Sequence, residues 1–188
     1  MPYDTKYWNE YARANESRYN ANFAGFLRDL VSSLRCSSVL EAGCGTGIDL
    51  RLLGEGIAVH GADLNGEAIR AARERMPRAD FRLCDVTDLP YGDASMDMVF
   101  THRLLNYLDD ATLEATMSEM YRVSSRYIIS CETYRPDEAF IDGPYRYRDM
   151  PRRWAAYDAM PISNVDMHPE IDTCRFLLLK MPRDRRSA

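Results

Sequence analysis

The segment that most constrains this chain is residues 39–47, which read VLEAGCGTG. An apolar run ends in an acid, and glycines follow at alternate positions. This order predicts a buried strand, a tight turn with positive φ angles, and a helix over about residues 47–54. Glycines let a ligand approach the backbone closely, and the first turn of a helix offers free N–H groups. The segment therefore predicts a nucleotide-like cofactor at the end of a strand.

The position of the third glycine separates two cofactor classes. The dinucleotide fingerprint G-x-G-x-x-G would place it at position 48, but this chain has Ile48 there and Gly47 before it. An acid followed by G-x-G-x-G resembles motif I of the class I S-adenosylmethionine-dependent methyltransferases. The spacing favours that family, and an NAD-dependent oxidoreductase is the less favoured alternative.

Two further acids end the next two predicted strands. Asp63 follows a short apolar segment, where a carboxylate can accept both hydroxyls of a ribose. The alternative is that Asp63 only caps the following helix. For Asp85, the resemblance implies a contact with the adenine amino group, with the backbone N–H of Val86 meeting the ring. The alternative is that Asp85 is a turn residue ahead of Pro90.

The resemblance extends over residues 19–181 and implies S-adenosylmethionine as the cofactor and S-adenosylhomocysteine as the product. The residues expected to hold the cofactor lie in the glycine loop and directly after three strands: Glu41, Gly43, Gly45, Gly47, Asp63, Leu64, Asp85, Val86 and Thr101.

Strands and helices alternate along most of the chain, which predicts a parallel sheet with helices on both faces. The resemblance implies a three-layer, Rossmann-like α/β fold with a mostly parallel seven-stranded sheet. Its last strand, residues 175–181, would be antiparallel and inserted between the fifth and sixth strands. We expect a single methyltransferase domain over residues 1–188, with the helices of 1–34 covering the cofactor site. An aromatic helix with Tyr7, Trp8 and Tyr11 either closes over the cofactor or packs at the sheet edge.

Charge, apolar runs and the spacing of cysteines and histidines predict which kinds of partner the chain binds and where in the cell it is located. The net charge of −5 indicates no nucleic-acid partner, and no apolar run approaches membrane length. The N-terminus has no apolar signal region, and the five cysteines have no C-x-x-C spacing, so we expect reduced thiols in the cytoplasm. The three histidines share no metal-binding spacing, which predicts no metal. Both a monomer and a homodimer remain open.

Candidate catalytic residues follow the fourth and fifth predicted strands, where an acceptor must meet the methyl group. His102 is either a general base or a turn histidine at the surface. Glu132 and Tyr134 could hold or deprotonate a sugar hydroxyl, and the alternative for Glu132 is an ion pair with an arginine.

An insertion over residues 133–160 alternates aromatic residues with arginines and is expected on the substrate side. Such a surface suits a ligand that carries a phosphate or carboxylate together with a ring, so Tyr145 and Arg146 are the predicted acceptor-binding residues. The alternative is a solvated loop whose arginines are balanced by acids.

A narrower resemblance concerns residues 124–136 and 144–146, which are similar to methylases associated with pseudaminic acid biosynthesis. It implies a small-molecule acceptor such as a nucleotide-activated or acidic sugar. A non-catalytic subunit that binds S-adenosylmethionine is the alternative from another class, and the presence of Glu41, Asp63 and Asp85 argues against it.

Overall fold

A seven-stranded sheet is the centre of the computed structural model, which describes residues 5–15 and 19–182. The described strands are β1 (Ser38–Ala42), β2 (Ala58–Asp63), β3 (Asp80–Leu83), β4 (Met96–His102), β5 (Ser124–Glu132), β6 (Phe140–Asp142), β7 (Tyr145–Arg146), β8 (Met160–Asp166) and β9 (Arg175–Lys180). The described α-helices are α1 (Thr5–Asn15), α2 (Ala21–Ser33), α3 (Gly66–Arg75), α4 (Asp110–Val123) and α5 (Met150–Trp154).

The strand order in the sheet is β3-β2-β1-β4-β5-β9-β8, and β6 pairs with β7 in a separate hairpin. The pairs among β1 to β5 are parallel, whereas β9 is antiparallel to both β5 and β8. The last strand is therefore reversed and inserted beside β5, which confirms the fold that the resemblance implies.

Two apolar clusters cover the two faces of the sheet and make the three layers. Val39 and Met98 point to a cluster with Phe23 and Leu27 of α2. Their neighbours in the strands point the other way, to the cluster that α4 and α5 cover. Because side chains alternate along a strand, each central strand contributes to both clusters and reads as an almost continuous apolar run.

Two elements differ from the sequence-based expectation. The helix predicted over residues 47–54 is a single 3-10 turn, Asp49–Leu52, closed by the bond from the Leu53 N–H to the Leu50 carbonyl. The segment before β2 is short, and such pieces close with i to i+3 hydrogen bonds. The sequence also does not reveal β8, whose residues are almost all exposed at the sheet edge and so show no alternation.

The insertion at 133–160 contains the β6–β7 hairpin and α5. The predicted domain over 1–188 includes residues 1–4, 16–18 and 183–188, which lie outside the described residues. No helix in the described part of the chain is long and apolar enough to cross a membrane.

Candidate cofactor and acceptor site

A cavity of about 620 Å³ lies where the carboxyl ends of β1, β2 and β4 meet. The predicted site residues that line it are Glu41, Gly43, Gly45, Asp63, Leu64, Val86, His102 and Tyr145. The predicted site residues that do not line it are Gly47, Asp85, Thr101, Glu132, Tyr134 and Arg146. Most of the predicted cofactor residues thus line one cavity, whereas most of the predicted catalytic residues do not line it.

The glycine loop takes the backbone conformation that its sequence predicts. Gly43, Gly45 and Gly47 have φ angles of +76°, +52° and +70°, which L side chains rarely adopt. A Cβ on Gly45 would meet no heavy atom within 4 Å, so the loop is open there to a ligand. A Cβ on Gly47 would come within 2.9 Å of the Phe81 ring. Gly47 therefore serves packing, while Gly43 and Gly45 face the cavity.

Asp63 connects β2 to the glycine loop. One carboxylate oxygen accepts the Gly45 N–H at 2.8 Å, and the other accepts the Asn65 N–H at 2.8 Å. Burial raises the pKa of Asp63, and these backbone hydrogen bonds oppose that shift. Asn65, not Asp63, caps α3 by accepting the N–H groups of Glu67 and Ala68. Asp63 therefore lies at the cavity with lone pairs to spare, which fits the predicted ribose role.

Asp85 does not lie at the cavity. Its side chain is exposed, and its Oδ1 accepts the backbone N–H of Thr87 at 3.0 Å and the Thr87 hydroxyl at 2.8 Å. This is the turn role that was its alternative, and the adenine contact that the resemblance implies for Asp85 stays a prediction. The neighbouring Val86 is buried at the cavity wall, and its predicted contact with the adenine ring stays a prediction.

Glu41 is 2% exposed, and its Oε2 has no hydrogen-bond partner among the described residues. Burial first, and then the charge of Asp49, raises the pKa of Glu41 well above its ordinary value. A buried polar atom without a partner is costly unless a ligand or water satisfies it. Glu41 at the cavity wall therefore fits a cofactor that brings a polar group to this place.

His102 is held between two carboxylates. Its Nδ1 lies 2.7 Å from Asp49 Oδ2, its Nε2 lies 3.3 Å from Asp172 Oδ2, and its ring stacks on Phe23. Burial disfavours the charged ring, but Asp49 and Asp172 outweigh it and raise the pKa of His102 well above its ordinary value. Both ring nitrogens thus lie within hydrogen-bond distance of a carboxylate oxygen. The general-base role of His102 stays a prediction, and these partners argue against it.

The same cluster includes Cys174, and the donor atoms of His102, Asp172 and Cys174 lie within 4.8 Å of one another. A metal ion at this trio would have to displace the hydrogen bond between His102 and Asp172, and the predicted absence of a metal stays a prediction.

Three more of the predicted site residues do not line the cavity. Glu132 is 1% exposed, and burial raises its pKa to about 7. Thr101 is fully buried within β4. The ring of Tyr134 lies under the Arg175 guanidinium, 4.3 Å from its centroid. None of the three lines the cavity. The catalytic roles of Glu132 and Tyr134 and the cofactor contact of Thr101 stay predictions.

The arginines of the insertion are paired within the protein. Arg146 donates to Asp110, and Arg148 and Arg153 share the same carboxylate. Arg153 also donates to Glu138. This balance of arginines and acids is the alternative stated for the insertion, and it argues against the predicted anion clamp at Arg146. Its neighbour Tyr145 lines the cavity, and its acceptor contact stays a prediction.

Residues 39–126 match the family model described as a methyltransferase domain. The sheet order with its inserted antiparallel strand agrees with that match. The match over residues 39–126 and the sheet order together support a class I S-adenosylmethionine-dependent methyltransferase. The cofactor of this methyltransferase family is S-adenosylmethionine.

Two curated relatives illustrate the similarity. The malonyl-[acyl-carrier protein] O-methyltransferase of Serratia marcescens is 36% identical over 87 residues, which are 46% of this chain and 33% of that protein. A protein of Mycolicibacterium smegmatis named as a probable S-adenosylmethionine-dependent methyltransferase is 29% identical over 123 residues, 62% of this chain and 48% of that protein. The chain thus spans between a third and a half of these two relatives.

A solved structure shows the same fold. Magnesium protoporphyrin IX methyltransferase from Synechocystis PCC 6803, with bound S-adenosylmethionine, matches with a TM-score of 0.66 at 17% identity. The match covers 86% of this chain and 80% of that chain. At this identity the likeness concerns the fold alone, and it says nothing about the acceptor of the present chain.

Proposed function

We propose that this methyltransferase transfers a methyl group from S-adenosylmethionine to a small-molecule acceptor in the same cavity. The observation that carries the proposal is the continuity of that cavity. Glu41, Gly45 and Asp63 line it together with Tyr107 and Tyr145. Cofactor and acceptor would therefore share one cavity, which alignment of the reacting atoms requires.

The bound cofactor would supply an activated methyl group on its sulfonium. Asp63 would accept the ribose hydroxyls, the loop of Gly43 and Gly45 would pass close to the cofactor, and Val86 would cover the adenine. The remaining task is to position the acceptor and exclude water. Positioning of this kind can contribute most of the rate in a reaction whose donor is already activated.

The type of acceptor follows from the residues left at the cavity. An acidic or nucleotide-activated sugar depended on an anion clamp at Arg146, which instead pairs with Asp110. A hydroxyl acceptor depended on a base, and the ring nitrogens of His102 are both occupied by acids. These two observations support a small acceptor whose nucleophilic atom needs no base.

Calorimetry with S-adenosylmethionine, S-adenosylhomocysteine and NAD tests the cofactor part of the proposal. We expect both adenosyl ligands to bind and NAD to give no signal. A screen of small molecules with methyl-labelled S-adenosylmethionine then tests transfer. Binding of NAD without binding of S-adenosylhomocysteine would overturn the proposal, and so would a protein that binds the cofactor but methylates no small molecule.

A further inference from the structure

Four aromatic side chains line the cavity. They come from three separate elements: Trp8 and Tyr11 from α1, Tyr107 from the 3-10 turn Leu105–Tyr107, and Tyr145 from β7. We call this group the aromatic box. Tyr107 is its centre, with ring centroids at 5.3 Å from Trp8, 6.0 Å from Tyr11 and 4.6 Å from Tyr145.

The rings of the aromatic box stand at steep angles to one another. The ring planes of Trp8 and Tyr11 are inclined to that of Tyr107 by 72° and 75°, and Tyr145 is inclined to it by 56°. A flat acceptor would need two parallel faces on which to stack. Walls inclined in this way instead surround a compact, rounded group. The face of each aromatic ring is negative, so the group that such walls favour is a cation.

The charges at the cavity wall point the same way. Four carboxyl side chains line it: Glu41, Asp49, Asp63 and Asp172. Among the described residues of the wall, the cationic side chains are His102 and Arg103, and each is held by these acids. The Arg103 guanidinium lies 2.9 Å from Asp172. Because burial raises the pKa of Glu41, that carboxyl adds little negative charge, but both cationic side chains among these described wall residues already have acidic partners, so an anionic ligand would find no unpaired cation there.

We propose that the acceptor is an amine whose nitrogen sits in the aromatic box. This inference rests on the proposed methyl transfer. The nitrogen lone pair forms the new N–C bond while the S–C bond of the sulfonium breaks, and the electron pair of that bond stays on sulfur. The positive charge thus moves from sulfur to nitrogen, and any proton on the nitrogen leaves to water. An amine that enters as its ammonium must first lose a proton to water. The neutral amine then attacks without a general base, and the box stabilises the charge that develops on nitrogen.

The experiment compares two probes of the same shape in the presence of saturating S-adenosylhomocysteine. Choline carries a trimethylammonium group, and 3,3-dimethylbutan-1-ol carries the neutral tert-butyl group in its place. Calorimetry should show that wild-type protein binds choline at least about tenfold more tightly, because only the cation gains from the ring faces. Equal affinities, or no saturable choline binding, would overturn the proposal.

Variants then locate the choline site. Tyr107→Leu should weaken choline binding about tenfold, whereas Tyr107→Phe, which keeps the ring face, should bind choline within about twofold of wild type. Tyr121→Leu is the matched control, because Tyr121 belongs to an aromatic pair with Tyr157 that does not line the cavity. Loss of choline binding in the Tyr121 variant alone would overturn the placement.

S-adenosylmethionine also carries a cation, its sulfonium. A further experiment distinguishes a box that binds the acceptor amine from a box that binds this sulfonium. If the box held the sulfonium, Trp8→Leu would weaken S-adenosylmethionine more than S-adenosylhomocysteine, and the amine proposal would be overturned while the methyltransferase function stood. We expect the ratio of the two affinities to stay within about twofold of wild type, because in the proposal the box contacts the acceptor nitrogen and not the sulfur. If wild-type protein bound no S-adenosylhomocysteine at all, both proposals would fail.

Discussion

Replacing Asp63 by asparagine tests the carboxylate that joins the glycine loop to the cavity. Each oxygen of Asp63 accepts one backbone N–H at 2.8 Å, from Gly45 and from Asn65. Asparagine has one oxygen, so one N–H would face the amide NH2. An unsatisfied buried donor costs about 1–3 kcal/mol. The melting temperature of the ligand-free Asp63→Asn variant should therefore fall by about 2–10 °C.

The same substitution should also weaken binding of the cofactor. Hydrogen bonds to a charged group are worth about 1.5–3 kcal/mol each, and the Asp63 carboxylate is predicted to accept two from the ribose. Asparagine keeps one acceptor, so we expect the affinity for S-adenosylhomocysteine to fall by about 10- to 100-fold. Calorimetry and thermal melting on one preparation of the variant measure both effects.

Asp85→Asn is the control for this prediction. Asp85 is exposed, closes its own turn and does not line the cavity. Its variant should bind S-adenosylhomocysteine within about threefold of wild type, because surface substitutions away from a site change little. The reasoning is refuted if Asp63→Asn keeps wild-type affinity, or if Asp85→Asn loses as much affinity as Asp63→Asn.

Three further predictions concern charged side chains. The pKa of His102 is raised, so the stability it contributes is complete below about pH 6.5 and is lost as pH rises through the folded-state pKa. In urea unfolding, the advantage of wild type over His102→Gln should shrink with rising pH, and a constant difference would contradict this. Burial raises the pKa of Glu132 to about 7, so its cost builds between about pH 4.5 and 7 and reaches about 3 kcal/mol. Glu132→Gln should be more stable than wild type at about pH 8 and no more stable near pH 4; equal stability at both would refute the shift. Fully buried Arg148 donates to two main-chain carbonyls and a carboxylate, so Arg148→Met should lower the unfolding free energy by about 3 kcal/mol in denaturant titration. The exposed pair of Arg135 supplies the control, and Arg135→Gln should leave that free energy almost unchanged.

The parts of the fold that the sequence predicts are those whose residues carry a local pattern. The apolar run of β1 and the glycines after it are read directly, because a buried strand and positive φ angles restrict the residue types. The reversed β9 came from the resemblance, since an apolar strand looks the same in either direction. The edge strand β8 could not be predicted because exposure on both faces removes the alternation.

The candidate site divides in a similar way. Asp63 and Gly45 could be predicted to meet because adjacent parallel strands end at the same edge of the sheet. The roles of His102 and Arg146 could not, because their acidic partners are far away in the chain: Asp49 and Asp172 are 53 and 70 residues from His102, and Asp110 is 36 residues from Arg146. The local sequence shows that a side chain can carry a charge. Only the tertiary structure shows whether that charge is already paired with another residue.

The hydrogen bonds of His102 with Asp49 and Asp172 connect parts of the chain that lie far apart in sequence. Asp49 precedes β2, His102 ends β4, and Asp172 directly precedes β9, so the bridge closes only when the last strand has entered the sheet. Contacts so distant in sequence form late, since the chain between them must be brought together first. A nascent chain that has reached β5 already has the glycine loop and Asp63, but the wall built by Asp172 is absent. The hydrogen bonds of Asp172 therefore tie one wall of the cavity to the segment that leads into the last strand, and loss of that segment would leave His102 and Arg103 without this partner.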